Sequence, residues 1–182
     1  MMEQEERKKT ISVVAPMSGQ CAPLFEGEQN GGKLFGITGD GVRIEPGCGA
    51  VVAPVTGDLL YFAPTNHAFC VRTSEGFLVH VIVGDGDPDR RGFTRVVRPN
   101  EHVTVGEKVI AADLGVLKAR GRSAAAAVLL EAKSGIERIE IFEGEVRAGE
   151  SVVLSAVYGE SAAEPKRPAK RNSAGQAAAA QP

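Results

Sequence analysis

Short apolar runs, separated by glycine and proline, recur along the chain from Ile11 to Gly159. Each run has the length of a β-strand, and successive runs begin about ten residues apart, which is typical of an all-β sandwich or barrel. One short helix is predicted within 114–122, and the alanine run 124–127 is left open between helix and strand. Examples of these runs are ISVVAP (11–16), GVRIEP (41–46), AVVAPVTG (50–57), GFTRVVRP (92–99), HVTVGEKVIAAD (102–113), IERIEIFEGEV (136–146) and SVVLSAVYG (151–159).

Two short sequences occur twice along the chain. VVAPMSG at 13–19 returns as VVAPVTG at 51–57, and VGEKVI at 105–110 returns as AGESVV at 148–153. In the first pair a proline ends a strand and a glycine turns the chain back; in the second a tight turn leads into another apolar strand. The repeat predicts two similar halves that pack together.

The segment between Tyr61 and Asp87 carries two of the three histidines, His67 and His80. Residues 68–72 and 77–83 are rich in apolar and β-branched side chains and flank the turn sequence TSEG (73–76), so they predict a β-hairpin. A turn of two or four residues places position 67 opposite 82 and position 69 opposite 80.

With such an even turn, His67, Phe69, Leu78, His80 and Ile82 share one face, because side chains alternate along each strand. Two imidazoles on that face would reach one small anion or metal ion. A turn with an odd number of residues instead puts the two histidines on opposite faces. The site hypothesis therefore depends on the register of this hairpin.

Composition divides the 182 residues into three regions. We expect residues 1–10 to be a flexible charged lead, residues 11–159 to fold as one domain, and residues 160–182, rich in Ala, Pro, Lys and Arg, to be disordered. The net charge of −2 and the pI of about 6.0 argue against nucleic acid as the main partner. No apolar run approaches the ~20 residues that cross a bilayer, so no membrane insertion is expected.

The remaining polar features suggest no further chemistry. Cys21, Cys48 and Cys70 lack the spacing of a zinc knot or a disulfide framework, so we expect free, buried or half-buried thiols and a cytoplasmic location. His102 precedes a turn and is expected at the surface. The sequences Gly-Asp-Gly at 39–41 and Gly-Asp-Gly-Asp at 84–87 are expected to be ordinary turns, since neither has the context of a phosphate or calcium loop.

The order of the sequence blocks from about Ile11 to Val157 resembles the glucose-type enzyme IIA domain of the bacterial phosphoenolpyruvate-dependent sugar phosphotransferase system. The resemblance rests on VVAPMSG, GDGVRIEP, VVAPVTG, TNHAF, a strand ending in VH, GF, VTVGEKVI and DLGVLKARGRS. It implies an antiparallel β-sandwich or barrel-sandwich hybrid. It also implies a phosphohistidine carrier that accepts a phosphoryl group from the phosphocarrier HPr and passes it to a cysteine of a permease IIB domain.

The same resemblance assigns residue roles. His80 corresponds to the phosphoacceptor, His67 to the partner that stabilises the phosphate, and Thr65 to the hydroxyl that orients His67. A docking surface for the partner proteins would include Phe69, Leu78, Ile82 and Phe35. No cofactor is implied, and the transported sugar is not encoded in this chain, because the permease selects it.

Several positions around His80 depart from the family pattern. The family has glycine two residues after the active histidine and aspartate four residues after it, whereas this chain has Ile82 and Gly84; an aromatic residue two before it is replaced by Leu78. Two alternatives therefore stay open. One is a regulatory or binding module that docks partners without phosphotransfer, and the other is a zinc protein with His67 and His80 as ligands, although zinc normally needs three or four.

Overall fold

Antiparallel strands make up nearly all the regular structure of residues 7–26, 32–87 and 89–159, which this computed structural model describes. This confirms the all-β class. The strands are β1 (Lys9–Val14), β2 (Gly19–Pro23), β3 (Gly32–Leu34), β4 (Ile37–Pro46), β5 (Ala50–Val52), β6 (Gly57–Phe62), β7 (Ala68–Arg72), β8 (Leu78–Val83), β9 (Phe93–Arg95), β10 (His102–Val103), β11 (Lys108–Ala112), β12 (Ala126–Glu131), β13 (Ile136–Ile141), β14 (Gly144–Val146) and β15 (Val152–Tyr158).

The described strands form three antiparallel sheets around one apolar core. The largest has the order β10-β6-β7-β8-β12-β4-β2-β14, with β3 paired to β4 at one side. Two three-stranded sheets, β1-β15-β13 and β5-β11-β9, complete the sandwich. The core combines valines, leucines and phenylalanines of all three sheets. Strand β1 begins at Lys9, two residues before the expected start of the folded domain at Ile11; the tail 160–182 lies outside the described residues.

The two repeated sequences fold in equivalent ways. The amide of Ala15 donates to the Ser151 carbonyl, and the Ala15 carbonyl accepts from Gly149. Thirty-eight residues later, the amide of Ala53 donates to Glu107, and the Ala53 carbonyl accepts from Gly106. Each Ala-Pro corner is thus held by a glycine turn of the second repeated sequence, and the two turns meet where Gly106 and Gly149 pack together.

The predicted short helix is confirmed, and two further segments that the sequence pattern left open or misread are defined here. The helix α1 spans Leu114–Ala119, and the side chain of Asp113 caps it by accepting a hydrogen bond from the Val116 amide. The alanine run continues into strand β12 rather than into a helix. The expectation of a turn at 39–41 is wrong, because these residues lie inside β4, where Gly39 and Gly41 approach the carbonyl groups of β12 too closely for a side chain.

The hairpin β7–β8 has an odd turn, so the condition for a shared histidine face, an even turn, is not met. The Thr73 amide donates to the Phe77 carbonyl (2.9 Å), which leaves three residues in the turn, and Gly76 occupies the left-handed position with φ 83°. Ala68 pairs with Ile82, and Cys70 pairs with His80. The opposite partner of His67 is Val83, whose amide donates to the His67 carbonyl (2.8 Å).

Burial of large apolar side chains explains this register. It places Phe69, Val71, Val79 and Val81 on the face that joins the core, where each is fully buried. The even register would have put His80 on the same face as Phe69, in the centre of that core. Because a slip of one residue exchanges the two faces of a strand, the apolar set determines the register and excludes the histidine from the core face.

The register makes a direct prediction about stability. Phe69→Ala should lower the free energy of unfolding by about 3–5 kcal/mol, because it empties a fully enclosed site, whereas Leu78→Ala at the half-buried end of β8 should cost about 1 kcal/mol. Urea unfolding of both variants measures the difference. Equal, small effects would show that Phe69 lies outside the core and would contradict the observed register.

Candidate functional site

A row of side chains crosses four strands on the face of the large sheet that is turned away from the core cluster. Strand pairing aligns Tyr61 with Cys70, Cys70 with His80, and His80 with Leu129. Cys70 and Leu129 are fully buried, His80 is 4% exposed, and Tyr61 at the edge of the row is 41% exposed. Glu131 lies two residues beyond Leu129 and therefore on the same face.

Both ring nitrogens of His80 take part in hydrogen bonds to other side chains. Nδ1 lies 2.9 Å from the Tyr61 hydroxyl, and Nε2 lies 2.8 Å from a Glu131 carboxylate oxygen. An ionised carboxylate only accepts hydrogen bonds, so Nε2 carries the proton and donates to Glu131, and Nδ1 accepts from Tyr61. Burial raises the pKa of Tyr61, with further contributions from Cys70 and Glu131, which keeps its hydroxyl protonated as this arrangement requires.

His67 lies in a different environment, at the corner between β6 and β7. Asn66 adopts a left-handed conformation (φ 59°), and this turns the chain so that the His67 side chain lies beside Thr65. The Thr65 hydroxyl is hydrogen-bonded to His67 Nδ1. The ring packs against Phe93, with centroids 6.1 Å apart, and against Gly86, where a Cβ atom would lie 2.9 Å from Nδ1.

The loop that contains Gly86 is attached to the C-terminal end of α1 by ion pairs. Asp87 is fully buried and accepts hydrogen bonds from the guanidinium of Arg120, which also contacts Asp89 (3.0 Å). Arg122 pairs with Asp85 at 3.0 Å. These contacts fix the loop against the corner that holds His67. Burial lowers the pKa of His67, and the nearby charge of Asp85 partly offsets that effect, so the ring is mostly neutral near pH 7.

The structure brings His67 and Thr65 together but separates them from His80. Val83 is opposite His67, and His80 is three residues away from Val83 along β8, a distance of about 10 Å along the strand. Among the described residues, no hydrogen bond or ring contact joins the two imidazoles. The expectation that both histidines face one anion from the same face of the hairpin is therefore wrong.

The residues expected to form a docking surface differ in their exposure to solvent. Phe69 is fully buried in the core, and Ile82 is 6% exposed, so neither offers a surface in this conformation. Leu78 is half-buried, and Phe35 is 72% exposed. Phe35 occupies a two-residue turn between β3 and β4 with φ 48°, an unfavourable conformation for a bulky residue.

Three residues that lie against the two histidines were missed by the sequence reasoning. Tyr61 and Glu131 contact His80, but they lie 19 and 51 positions away from it, so only the sheet pairing reveals them. Gly86 was read as part of an ordinary turn. Its position in Gly-Asp-Gly-Asp directly after the second strand was the available signal that the chain must pass close to another group there.

The remaining chemical expectations concern thiols and metals. Cys21 and Cys70 are buried and Cys48 is exposed, and all three are free. Burial raises the pKa of Cys70 to about 12, so its thiol stays protonated beside His80. Within the described ranges no group of three or more His, Cys, Asp or Glu side chains is arranged to hold a metal ion. His102 is exposed, as expected, and pairs with Asp58 (2.9 Å).

Comparison with known proteins identifies the family to which this chain belongs. Residues 11–135 match the family described as phosphoenolpyruvate-dependent sugar phosphotransferase system, EIIA 1, so the antiparallel β-sandwich is a IIA-type phosphotransferase domain. The chain belongs to this family.

Individual relatives agree with that assignment. The glucose-specific EIIA component of Haemophilus influenzae is 32% identical over 155 residues, which cover 83% of this chain and 92% of that protein. The N-acetylglucosamine-specific EIICBA component of Klebsiella pneumoniae is 32% identical over 79% of this chain and 22% of its own length. The solved structure of glucose permease IIA from Mycoplasma capricolum matches with a TM-score of 0.68 at 29% identity, covering 80% of this chain and 96% of that one. In the part of the chain described here, no helix has the length and apolarity that a bilayer crossing requires.

The buried Asp87 carboxylate predicts a pH-dependent contribution to stability. The hydrogen bond from Arg120 holds the pKa of Asp87 below its ordinary value of 3.8. A carboxyl group whose pKa is lowered by folding stabilises the folded state fully at pH values above its pKa in the unfolded chain. This stabilisation is lost as the pH falls through its pKa in the folded protein. Asp87→Asn should therefore lower the melting temperature by about 5–10 °C at pH 7, and the difference should shrink below about pH 4.

Asp89→Asn is the matched control for that experiment, because Asp89 contacts the same guanidinium but is 58% exposed. Its melting temperature should stay within about 2 °C of the parent. Equal effects of the two substitutions at pH 7 would contradict the account of the buried pair.

The hydrogen bonds of His80 predict its tautomer. At neutral pH, ¹⁵N NMR should show the proton on Nε2, because Glu131 accepts there and Tyr61 donates to Nδ1. Tyr61→Phe should retain this tautomer, whereas Glu131→Ala should shift the ring towards a mixture. A His80 ring with the proton on Nδ1 in the parent protein would contradict the assigned donors and acceptors.

Proposed function

We propose that this protein is a phosphoryl carrier of the sugar phosphotransferase system, which accepts a phosphoryl group from phospho-HPr and passes it to a cysteine of a permease IIB domain. The single observation that supports this most is the His67 corner. A histidine of the family motif TNHAF keeps its hydroxyl partner Thr65 and a pKa lowered by burial. Membership of the EIIA family supplies the reaction class.

The chemistry of a phosphoryl relay suits this environment. A neutral imidazole is a good nucleophile near pH 7, and phosphoryl transfer depends more on in-line placement and charge stabilisation than on acid–base catalysis. The family-based assignment gives the acceptor role to His80 and the stabilising role to His67. Neither role requires a metal, nucleotide or organic cofactor.

The partner proteins require an exposed apolar surface, and Phe35 is the strongest candidate for part of it. Its ring is 72% exposed at the tip of the β3–β4 turn, in a conformation that costs free energy. Strained and exposed aromatic residues are often retained for binding. The EIICBA relative contains IIB and IIC components in one protein by its name, and a IIB domain is accordingly the proposed recipient.

A second candidate function is a binding module that docks the same partners without carrying phosphate. The observation that favours it is the state of His80, which is nearly buried and uses both ring nitrogens in hydrogen bonds. In that case Phe35→Ser would abolish binding to a IIB domain or to HPr, although no phosphate is ever incorporated. The two candidates therefore differ in one measurement, the presence of acid-labile phosphate.

Incubation with phosphoenolpyruvate, enzyme I and HPr should place about one acid-labile, base-stable phosphate on each protein molecule, because phosphohistidine hydrolyses in acid. Electrospray mass spectrometry at neutral pH measures it. Phosphorylated HPr in the same mixture is the control that the donor is active. An unmodified protein beside fully phosphorylated HPr would refute the carrier function and leave the binding module.

A further inference from the structure

We propose that Glu131 is a displaceable cap on the reacting nitrogen Nε2 of His80, and that Tyr61 holds the other ring nitrogen both before and after the cap leaves. The inference rests on the proposed carrier function and keeps the acceptor role of His80. It assigns roles to two residues that lie outside the sequence blocks on which the family resemblance depends.

The Glu131 carboxylate closes the Nε2 side of the His80 ring. One of its oxygens lies 2.8 Å from Nε2, and the Glu131 side chain is 39% exposed while that of His80 is 5% exposed. The Cys70 thiol, 3.9 Å from the same nitrogen, is fully buried. The route from solvent to Nε2 is therefore the position that Glu131 occupies. A negatively charged phosphoryl group is repelled by an ionised carboxylate at this position.

Of the two hydrogen-bond partners of His80, Glu131 is the one that is free to leave. Tyr61 lies within β6, and its ring packs against the imidazole with centroids 6.1 Å apart. Glu131 is the last residue of β12, and its unbranched side chain turns about three bonds. Reaction at Nε2 thus requires only a side-chain rotation at a strand end, whereas reaction at Nδ1 would require the aromatic ring to move.

A pocket beside Glu131 can receive the displaced carboxylate. Its volume is about 220 Å³. The Lys133 ammonium donates to the Glu75 carbonyl (2.9 Å), and its two other N–H groups can donate to a carboxylate. Burial lowers the pKa of Lys133, so a negative group beside it would stabilise its charged form. The pocket is lined by Gly76, Leu78, Glu131, Ala132 and Lys133.

Tyr61 serves His80 in both states because a phenolic hydroxyl donates and accepts hydrogen bonds. With the cap in place, the hydroxyl donates to Nδ1 across 2.9 Å. Once Glu131 has left, the ring can carry its proton on Nδ1 and donate to the same oxygen, while the hydroxyl hydrogen turns to solvent at the 41% exposed edge of the row. The lone pair is then on Nε2, where the phosphoryl group arrives.

The step balances with one donor and solvent water. As Glu131 leaves, Nε2 of His80 gives its proton to water and Nδ1 takes one up, so the ring stays neutral. The Nε2 lone pair then bonds to phosphorus while the phosphorus–nitrogen bond of the donor's phosphohistidine breaks, and that electron pair returns to the donor imidazole. The Nδ1 proton donates to Tyr61, which stabilises the phosphorylated ring.

Diethyl pyrocarbonate, which acylates accessible neutral imidazoles, measures the cap without any partner protein. Trypsin cleaves after Arg72, Arg90, Arg95 and Lys108, so His80 lies in peptide 73–90 and His102 in peptide 96–108. Glu131→Ala should accelerate the acylation of His80 about tenfold and leave that of exposed His102 unchanged as an internal reference. Equal rates for His80 in the parent protein and in Glu131→Ala would overturn the proposal.

Two further variants separate the cap from a general loss of negative charge. Glu131→Gln keeps an oxygen that accepts from Nε2 but removes the charge, so it should accelerate acylation of His80 only about threefold. Glu140→Ala, which removes a carboxylate paired with Arg138 on β13, should leave the rate unchanged. Circular dichroism confirms that each variant is folded. An acceleration by Glu140→Ala as large as that by Glu131→Ala would contradict a specific cap.

Phosphorylation by phospho-HPr tests the cap in the relay. Glu131→Ala should raise kcat about tenfold with KM for phospho-HPr unchanged, because the cap acts within the protein. Tyr61→Phe should lower kcat about tenfold, because the Nδ1 proton of the reacting form loses its acceptor. A phosphorylated parent protein with no gain in Glu131→Ala would overturn this inference and leave the carrier function. Parent and variant both unphosphorylated beside phosphorylated HPr would refute the carrier function itself.

A double-mutant cycle tests where the cap goes. Lys133→Met alone should lower kcat about threefold, because the displaced carboxylate loses its cation. Combined with Glu131→Ala, the same substitution should have no further effect, since no carboxylate remains to be received. An equal loss with and without Glu131→Ala would contradict the pocket beside Lys133 as the second position of the cap.

Discussion

The three-residue turn between β7 and β8 determines where the two candidate histidines of this protein lie. Its closing pair, Thr73 and Phe77, sets a register in which Cys70 is opposite His80 and Val83 is opposite His67. Because alternate residues point to opposite faces, one residue more or fewer in that turn would exchange the core face and the outer face of both strands. The full burial of Phe69 and its apolar neighbours stabilises the observed choice.

This register places the two histidines in two different environments. His80 belongs to a row of side chains on the outer face, where Tyr61 and Glu131 satisfy both its nitrogens. His67 belongs to a strand corner that is fixed by the loop following β8 and, through buried Asp87, by the end of α1. The same sheet thus holds one histidine in a closed hydrogen-bond network and the other at a corner beside Thr65.

Much of the fold followed from the sequence, because strand-length apolar runs and repeated turn sequences are local signals. The repeats at Ala15 and Ala53 indeed occupy equivalent corners. The site was harder to predict, since the sequence TSEG is compatible with turns of different length and the register depends on packing elsewhere. Tyr61 and Glu131 reach His80 only through pairing across four strands, which no local pattern encodes. Thr65 beside His67 was predictable because the two residues lie in one short turn.

The register itself is open to direct measurement by NMR. In the observed pairing, Cys70 and His80 form a pair that is not directly hydrogen-bonded, so their α-protons face each other across the strands. We expect a strong nuclear Overhauser effect between the α-protons of Cys70 and His80, and another between those of Ala68 and Ile82. Cross-strand effects that instead join Phe69 with His80 would restore the single two-histidine face and contradict the separation on which the account depends.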